Sequence, residues 1–304
     1  MAVLSEINDI KRRLSAVAQT RQITNAMYLL SSSRMRREAQ RAGYAKEYFH
    51  RIRATVKDIM EKSQSITHPY FEKRSGNRAA FLVIAGDKGL CGTYNSDVLK
   101  YAHALISEHP VHYIKTVGRI ATEFFTRRGI IPDDEMLGAA HQPTLYTARD
   151  ISEKLFELYE NGQTDEIYIV FTRFENSAVH YPYCMRLLPM TLEGFEDVEN
   201  LLAPASDMIY APSPREVFDR LVPQCAVGLV FAALVQSSAS EHSARMNAMQ
   251  NATENADEMS QKLTREYQTL RQLSITNEII EISSGAQGAS RYGTQSGVDT
   301  EGLT

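Results

Sequence analysis

Long stretches near both ends of the chain contain very few of the residues that break helices. Residues 5 to about 62 contain no proline and one glycine, in a stretch rich in Arg, Ala, Glu, Gln, Leu and Met. Residues 214 to about 284 begin with Pro214 and contain one further proline, Pro223. This composition predicts one long helix at each end, the second kinked or divided at Pro223. That second helix would be on the order of 100 Å long at ~1.5 Å per residue, which exceeds the size of an ordinary globular domain.

Apolar side chains recur on one face of each predicted helix. On the first helix they are three or four residues apart, and the pattern slips at residues 19–22 before it resumes; its members are Leu4, Ile7, Ile10, Leu14, Val17, Ile23, Met27 and Leu30. The stripe on the second helix includes small and polar residues: Met246, Met249, Thr253, Ala256, Ser260, Leu263, Tyr267, Leu270, Ser274 and Asn277. Neither helix can bury its own stripe, so we predict that the two ends pair as an antiparallel coiled coil. Two long helices of an ordinary bundle are the alternative.

Two similar segments fall within these ends. They are ITNAMYLLSSSR, which begins at Ile23, and ITNEIIEISSGA, which begins at Ile275. Almost nothing between them repeats the pattern, so we interpret them as segments of partner helices and not as an internal repeat.

The middle of the chain, roughly residues 77–212, alternates strand and helix patterns. Buried strands are indicated by AAFLVIAG, VHYIKTVG and EIYIVFTRFEN, and a further strand is indicated from Ala178 to Leu188. Helices are indicated by TYNSDVLKYAHALISEH, IATEFFTRRG and ARDISEKLFELYENGQ. This alternation predicts a largely parallel sheet covered by helices.

The predicted fold class is therefore α/β: an antiparallel coiled coil of long N- and C-terminal helices with an inserted Rossmann-like α/β domain. We assign residues 1–75 to the N-terminal long helix, 76–212 to the inserted domain and 213–286 to the C-terminal long helix. Residues 287–304 are rich in Gly, Ser, Thr and Asp and have no apolar stripe, which predicts a flexible tail.

Charge and cysteine content exclude several classes of protein. The formal net charge is -4, so no overall field favours nucleic acid or an acidic membrane. The three cysteines, Cys91, Cys184 and Cys225, are odd in number and far apart, which argues against a disulfide framework and favours a reducing compartment. The longest apolar run, 225–235, is about half the roughly 20 residues that a membrane helix needs. We expect a soluble protein that reaches a membrane only through a partner.

The sequence contains few candidates for chemistry. The loop GDKGLCG, residues 86–92, follows a strand and precedes a helix, where nucleotide-binding loops hold phosphate. It lacks the ending of a P-loop and the spacing of a dinucleotide motif, so a tight turn is favoured over a nucleotide-binding site. Asp133, Asp134 and Glu135 are interpreted as a solvated loop, and the histidines show no metal-ligand spacing. We predict no catalytic, cofactor-binding or metal-binding residue.

Arginines form a basic face on the first predicted helix: Arg34, Arg36, Arg37 and Arg41, followed by Arg51 and Arg53. An RNA-binding helical arm is one explanation. Contact with an acidic protein surface, or a plain solvated face, is favoured because no aromatic residues or other basic elements accompany these arginines.

Three separated stretches resemble one known family. They are RQITNAMYLLSSSRMRR, DKGLCGTYN, and SASEHSARMNAMQNATENADEM followed by LTREYQTLRQLSITNEIIEISSGA. Together they are similar to the gamma subunit of F-type ATP synthases of the bacterial type, in the right order and over essentially the whole chain up to Ala286.

This resemblance implies a central-stalk rotor that is not itself catalytic and binds no cofactor. The implied partners are three alpha and three beta subunits around one gamma chain, the epsilon subunit and the membrane c-ring, with no nucleic acid. It implies peripheral attachment at the cytoplasmic face of the cell membrane, through the complex alone. Flow of protons or sodium ions through the c-ring would turn the shaft and drive the conformational cycle of the beta subunits.

The resemblance also implies roles for single residues. The residues implied to contact beta subunits and to govern coupling are Met27, Arg245, Arg271, Gln272 and Thr276. The residues implied to lie at the foot, near the c-ring or epsilon, are Tyr210, Arg34, Arg37 and Arg41. The sequence departs from the family pattern at Asn25, Tyr28 and Ala211, where basic, charged and Glu residues are usual.

Overall fold

The computed structural model describes residues 2–62, 68–109, 111–190 and 210–295. Its elements follow the order expected from the sequence, with one additional short strand. The helices are α1 (Ala2–Lys62), α2 (Tyr94–Ser107), α3 (Arg119–Thr126), α4 (Leu145–Glu160) and α5 (Pro214–Gln295), with a 3₁₀ turn at Pro69–Phe71. The strands are β1 (Arg78–Ile84), β2 (Val111–Val117), β3 (Asp134–Met136), β4 (Glu166–Phe174) and β5 (His180–Leu188).

The strands form one mixed sheet in the order β3-β2-β1-β4-β5. The central strand β1 is parallel to both neighbours, so that Phe81 lies opposite Ile114 on one side and Tyr168 on the other. Strand β3 continues the parallel part, and β5 is antiparallel to β4. The predicted parallel sheet is therefore confirmed, with an antiparallel strand at one edge.

Helices cover both faces of this sheet: residues 79–84 of β1 are all apolar and buried, and successive side chains point to opposite sides. Phe81 and Val83 pack into a buried cluster with α2 and α3. Leu82 and Ile84 belong to a larger cluster that includes α4 and parts of α1 and α5. The apolar run of α5, residues 225–235, contributes to this second cluster, and its composition reflects burial inside the protein.

The acidic group that follows Pro132 is not the solvated loop that we predicted. Asp134 begins strand β3, which pairs with β2. Its carboxylate lies 3.6 Å from the Lys115 ammonium and 3.1 Å from that of Lys154. The Asp133 carboxylate accepts a 2.7 Å hydrogen bond from the Ile114 backbone N–H. The carboxylates of Asp133 and Asp134 therefore have fixed partners. The strand was not predicted because three residues are too few to show a recognisable pattern.

The chain forms two compact units, and the division between them differs from the predicted domain boundaries. The α/β unit is residues 27–248, which includes the sheet with residues 27–62 of α1 and 214–248 of α5. The helical-end unit is residues 1–26 with 249–304. Both predicted long helices are present, and Pro223 lies inside α5 without dividing it.

In the helical-end unit the two helices run antiparallel. The Thr253 hydroxyl donates a 2.7 Å hydrogen bond to the Thr24 hydroxyl. Arg21 pairs with Asp257, and the Lys11 ammonium lies 5.7 Å from the centre of the Tyr267 ring. In this register Ile23 faces the region of residue 255, whereas Ile275 faces the first residues of α1. The two ITN segments therefore lie on partner helices but are offset by roughly 30 Å along the axis, at ~1.5 Å per residue.

The predicted stripe on α5 is confirmed at Met249, Ala256 and Leu263, which are buried, but its last member, Asn277, is exposed. On α1, Ile7 and Ile10 are buried as predicted.

Beyond residue 22 the predicted stripe on α1 is wrong at Ile23 and Leu30, whereas Met27 is half-buried. Ile23 and Leu30 are 61% and 54% exposed, whereas Thr24 and Ser31 are 8% and 3% exposed. The side chain of Thr24 faces inward because it pairs with Thr253, so hydroxyl groups replace apolar ones in this part of the seam.

The C-terminal helix continues past the predicted start of the tail. The backbone of α5 is helical to Gln295, so residues 287–295 are not the beginning of an irregular segment. Residues 296–304, the rest of the predicted flexible tail, lie outside the described residues.

Candidate functional site

The α5 helix crosses the place where ligands bind in many α/β proteins. That place is the carboxyl edge of the sheet, beside the strand where the strand order reverses. Here this strand is β1, and the GDKGLCG loop follows it. The Arg245 guanidinium Nη2 donates to the carbonyl oxygens of Lys88 at 3.4 Å and Gly89 at 3.2 Å. A phosphate-binding loop instead presents N–H groups to its ligand, so these carbonyls support the interpretation of the loop as a turn.

Contacts within the loop fix its conformation. The Gly86 N–H donates to the Asn95 side-chain oxygen at 2.8 Å, and the Asn95 amide donates to the Lys88 carbonyl at 3.3 Å. A Cβ added at Gly86 would lie 3.1 Å from that Asn95 oxygen and 3.1 Å from the Glu241 carboxyl carbon. Glycine at position 86 therefore leaves room for the close approach of Asn95 and α5, and a larger residue would have to displace them by a few tenths of an ångström.

Small polar residues hold α5 against β4 and the turn after it. The Thr172 N–H donates to the Ser237 hydroxyl at 3.4 Å, and the Ser240 hydroxyl donates to the Thr172 carbonyl at 3.3 Å. Ser243 and Asn247 both donate to the Ser177 carbonyl, at 2.7 and 3.2 Å. Serine has a short side chain, so the helix backbone approaches the sheet edge closely while the polar groups remain bonded.

A buried ion pair lies at the centre of this contact. Arg245 donates to the Glu241 carboxylate at 2.6 Å, and the side chains are 11% and 6% exposed. Burial raises the pKa of Glu241, and the adjacent Arg245 opposes this rise. The charge of Glu241 therefore depends on Arg245.

The basic face of α1 is partly occupied by contacts inside the α/β unit. Arg34 Nη1 lies 3.0 Å from His141 Nε2, and Arg41 donates to the Pro143 carbonyl at 2.8 Å. Arg41 also pairs with buried Glu38 at 3.1 Å. Because a guanidinium only donates, His141 Nε2 is the acceptor in this contact. Arg37 is exposed and lies 3.7 Å from Glu38.

A cavity of about 540 Å³ lies between α1, α5 and two loops of the α/β unit. Met27 and Arg245, which the resemblance associates with coupling, both line it. Arg34, Lys88, His141 and His242 are among its other lining residues.

His242 is 3% exposed, and its Nδ1 has no hydrogen-bond partner among the described residues. Burial lowers its pKa to about 3, and Arg245 and Arg34 contribute in the same direction. His242 is therefore neutral at physiological pH.

The remaining predicted site residues lie in other places. The Tyr210 hydroxyl donates to the Asp58 carboxylate at 2.5 Å, which joins the segment before α5 to α1. Burial and this contact raise the pKa of Tyr210. Arg271, Gln272 and Thr276 belong to the helical-end unit and are exposed. The structure thus brings Met27 and Arg245 to one cavity, and it groups the other three coupling candidates on one stretch of α5.

Sequence reasoning missed the internal partners of this site. The serines of α5, buried Glu38 and the Arg34–His141 contact were not predicted. The Ser- and Ala-rich stretch before Glu241 is a signal of close packing that could have been used, although it does not reveal which surface the helix meets.

Comparison with known proteins identifies the family. The family described as ATP synthase matches residues 6–288. An ATP synthase gamma chain from Caldanaerobacter subterraneus subsp. tengcongensis is 41% identical over 291 residues, which cover 91% of this chain and 98% of the relative. The chain belongs to the ATP synthase gamma-chain family.

Another member of this gamma-chain family, from Acetobacterium woodii, is described as sodium ion specific; it is 33% identical over 295 residues, covering 92% of this chain and 98% of the relative. The fold agrees with chains in solved ATP synthase structures. A chain of the Euglena gracilis mitochondrial ATP synthase, in an assembly described as OSCP/F1/c-ring, matches with a TM-score of 0.66 at 18% identity, covering 99% of each chain.

Proposed function

We propose that this gamma chain is the central-stalk rotor of an F-type ATP synthase. It couples ion flow through the c-ring to the conformational cycle of the catalytic beta subunits, and it is a subunit of the enzyme that performs no catalysis itself. The family match over residues 6–288 carries this proposal. Membership of the gamma-chain family also supports peripheral attachment to the cytoplasmic face of the membrane through the complex.

The exposed end of α5 supports contact with a surrounding ring of three alpha and three beta subunits. Large apolar side chains are exposed there: Leu273 50%, Ile275 46%, Ile279 61%, Ile280 55% and Ile282 72%. A stretch of exposed apolar residues on a helix indicates a surface that binds a partner. Arg271, Gln272 and Thr276 lie in the same part of α5 and would add polar contacts to the beta subunits that form and break during rotation.

The mechanism requires different faces of the shaft to favour different conformations of each beta subunit. A partner shifts a conformational equilibrium only by binding one state better than another. Side chains on opposite faces of α5 differ in charge and size, so rotation would change which beta conformation is favoured. Tyr210 and Arg37 would contact the c-ring or epsilon. Arg34 and Arg41 would act at the foot mainly by fixing α1 to the α/β domain.

Assembly tests the proposal directly. We would mix the chain with alpha and beta subunits of the same organism, isolate the complex and measure ATP hydrolysis with and without the chain. One copy for each three alpha and three beta subunits, with turnover that depends on the chain, is expected. Folded alpha and beta subunits that formed no complex with it would contradict the proposal.

A second test concerns Met27. Met27→Lys places an ammonium in the cavity that Arg245 lines, and we expect ATP hydrolysis to persist while coupling to ion transport falls. Met259→Lys is the matched control, because Met259 is 55% exposed in the other unit. A proportional decline of hydrolysis and transport in Met27→Lys would count against a role in coupling.

A further inference from the structure

The α5 helix is bonded on two opposite sides just before it leaves the α/β unit. On one side, the Ser243 hydroxyl and the Asn247 amide donate to the Ser177 carbonyl at 2.7 and 3.2 Å. On the other side, the Arg245 guanidinium donates to two carbonyls of the GDKGLCG loop. Residues 243 and 247 are about one turn apart, whereas residue 245 is rotated by about 200° from each, at ~3.6 residues per turn. The helix therefore passes between the β4–β5 turn and the loop and is bonded to both.

Both surfaces that hold α5 have a defined conformation. In the β4–β5 turn, the Asn176 side-chain oxygen accepts 2.9 Å hydrogen bonds from the N–H groups of Ala178 and Val179. The GDKGLCG loop is held by the contacts of Asn95. The Ser177 carbonyl and the loop carbonyls therefore occupy defined positions, and α5 must keep one orientation to reach both.

Hydrogen bonds on opposite sides resist rotation of α5 about its own axis. Apolar contacts, which hold much of residues 225–235 of the same helix, are non-directional. A hydrogen bond weakens steeply when its atoms move out of line. A roll of about 20° would displace a side-chain atom that is ~5 Å from the helix axis by ~1.7 Å, which is enough to break such a bond. Contacts on opposite sides can also apply opposed forces to the helix, and opposed forces constitute a torque.

The position of these contacts along α5 connects them with rotation. The α/β unit ends at residue 248, and α5 continues from there into the helical-end unit. We propose that Ser243 and Asn247 are positioning residues for coupling. Together with Arg245 on the opposite face they form a joint, which sets the rotational position of α5 where the helix leaves the α/β unit and transmits torque to it.

This inference rests on the proposed rotor function and adds a role for Arg245 inside the chain. The Arg245 side chain is 11% exposed and is bonded to Glu241 as well as to the loop. In the joint it acts on coupling by holding α5, and this action requires no contact with a beta subunit.

The angular fluctuation of single rotors tests the joint. Complexes of the full chain with alpha and beta subunits would be attached to a surface through the beta subunits, with a bead on the α/β unit. The variance of the bead angle during pauses at low ATP concentration reports the torsional stiffness between the bead and the ring. Ser243→Ala combined with Asn247→Ala removes both side-chain donors to Ser177. We expect a larger angular variance in this double variant than in the unmodified chain.

Asn251→Ala is the matched control, because Asn251 is an exposed asparagine one turn further along α5. It should leave the angular variance unchanged. ATP hydrolysis without load should be equal in the unmodified complex, the control and the double variant, because the end of α5 is intact in all three. A larger variance accompanied by a proportional loss of hydrolysis would show general disruption and would contradict a positioning role.

Arg245→Lys tests the opposite side of the joint. Lysine keeps a cation beside Glu241 but lacks the planar guanidinium with its several donors, so the angular variance should increase here too. An unchanged variance in either this variant or the double variant, or an equal increase in Asn251→Ala, would overturn the inference. Failure of the rotor function is a different result, since the unmodified chain would then form no rotating complex at all.

Discussion

The α/β unit and the helical-end unit differ in the side chains that distinguish them. In the α/β unit, charged groups such as Glu38 and Glu241 are buried with ionic partners. In the helical-end unit, Ile279 and Ile282 are exposed. The first unit pairs these buried charges internally, whereas the end of α5 in the second unit carries a run of exposed apolar side chains. Substitutions at the two places should therefore affect different properties, folding stability in the first and partner binding in the second.

The largest effect on stability should come from the core of the α/β unit. Phe218 is fully buried, and its ring packs 5.9 Å from that of Phe71. Phe218→Ala should lower the free energy of unfolding by about 3–5 kcal/mol, because it leaves a cavity. Urea denaturation followed by circular dichroism measures this. Leu273→Ala, at a residue 50% exposed, should change it by less than about 0.5 kcal/mol. Equal losses of unfolding free energy in Phe218→Ala and Leu273→Ala would contradict this expected difference between the two units.

The next effect concerns the buried ion pair. Arg245→Met leaves the Glu241 carboxylate buried without its partner and should cost about 3 kcal/mol at pH 8. The pKa of Glu241 is already raised in the folded state. The contribution of Glu241 to folding stability therefore falls as the pH rises from its unfolded-state pKa towards its folded-state pKa. Removal of Arg245 raises that pKa further, and the variant should recover part of its stability at pH 5. Denaturation at both pH values checks this, and the same loss at pH 5 and pH 8 would contradict it.

A smaller effect is expected in the seam of the helical-end unit. Thr253→Val removes the hydrogen bond to Thr24 and retains the shape of the side chain. It should lower the free energy of unfolding by about 1 kcal/mol. Thr269→Val, at an exposed residue of the same helix, is the control. A loss as large as that of Phe218→Ala would mean that this seam depends on polar contacts as strongly as the core depends on apolar ones.

The smallest effect on the isolated chain should come from the exposed end of α5. Replacing Ile279 and Ile282 together by Gln should change the free energy of unfolding by less than about 0.5 kcal/mol, because both side chains are exposed on a helix that accepts Gln well. Binding to the alpha and beta subunits should weaken. Unchanged assembly would show that this apolar surface is not the contact.

Much of the fold follows from the sequence because its signals are local. The absence of proline and the spacing of apolar residues predicted both long helices, and buried apolar runs predicted β1, β2 and β4. The short strand β3 was missed because its pairing with β2 involves residues distant in the sequence. The seam on α1 was misplaced because apolar character predicted Ile23, whereas a hydrogen bond selects Thr24.

The candidate site was predictable to a smaller extent. The resemblance associated Met27 with Arg245, and both line one cavity. The bonds of Arg34 to His141 and of Arg41 to Pro143 could not be predicted, because they depend on where the loop before α4 lies against α1. Arginine has a long side chain with several donors, so its partners are set by tertiary packing and not by its position on a helix.

The antiparallel register of the helical-end unit also has a mechanical consequence. In the register set by the Thr24–Thr253 and Lys11–Tyr267 contacts, the last turns of α5 have no facing turn of α1 among the described residues. Torque passes equally through every section of a rod, and the section with the lowest torsional stiffness twists most. A single helix resists twist less than two packed helices do. When the load is applied at the end of α5, elastic deformation would therefore concentrate in that unpaired section, while the paired section would twist less.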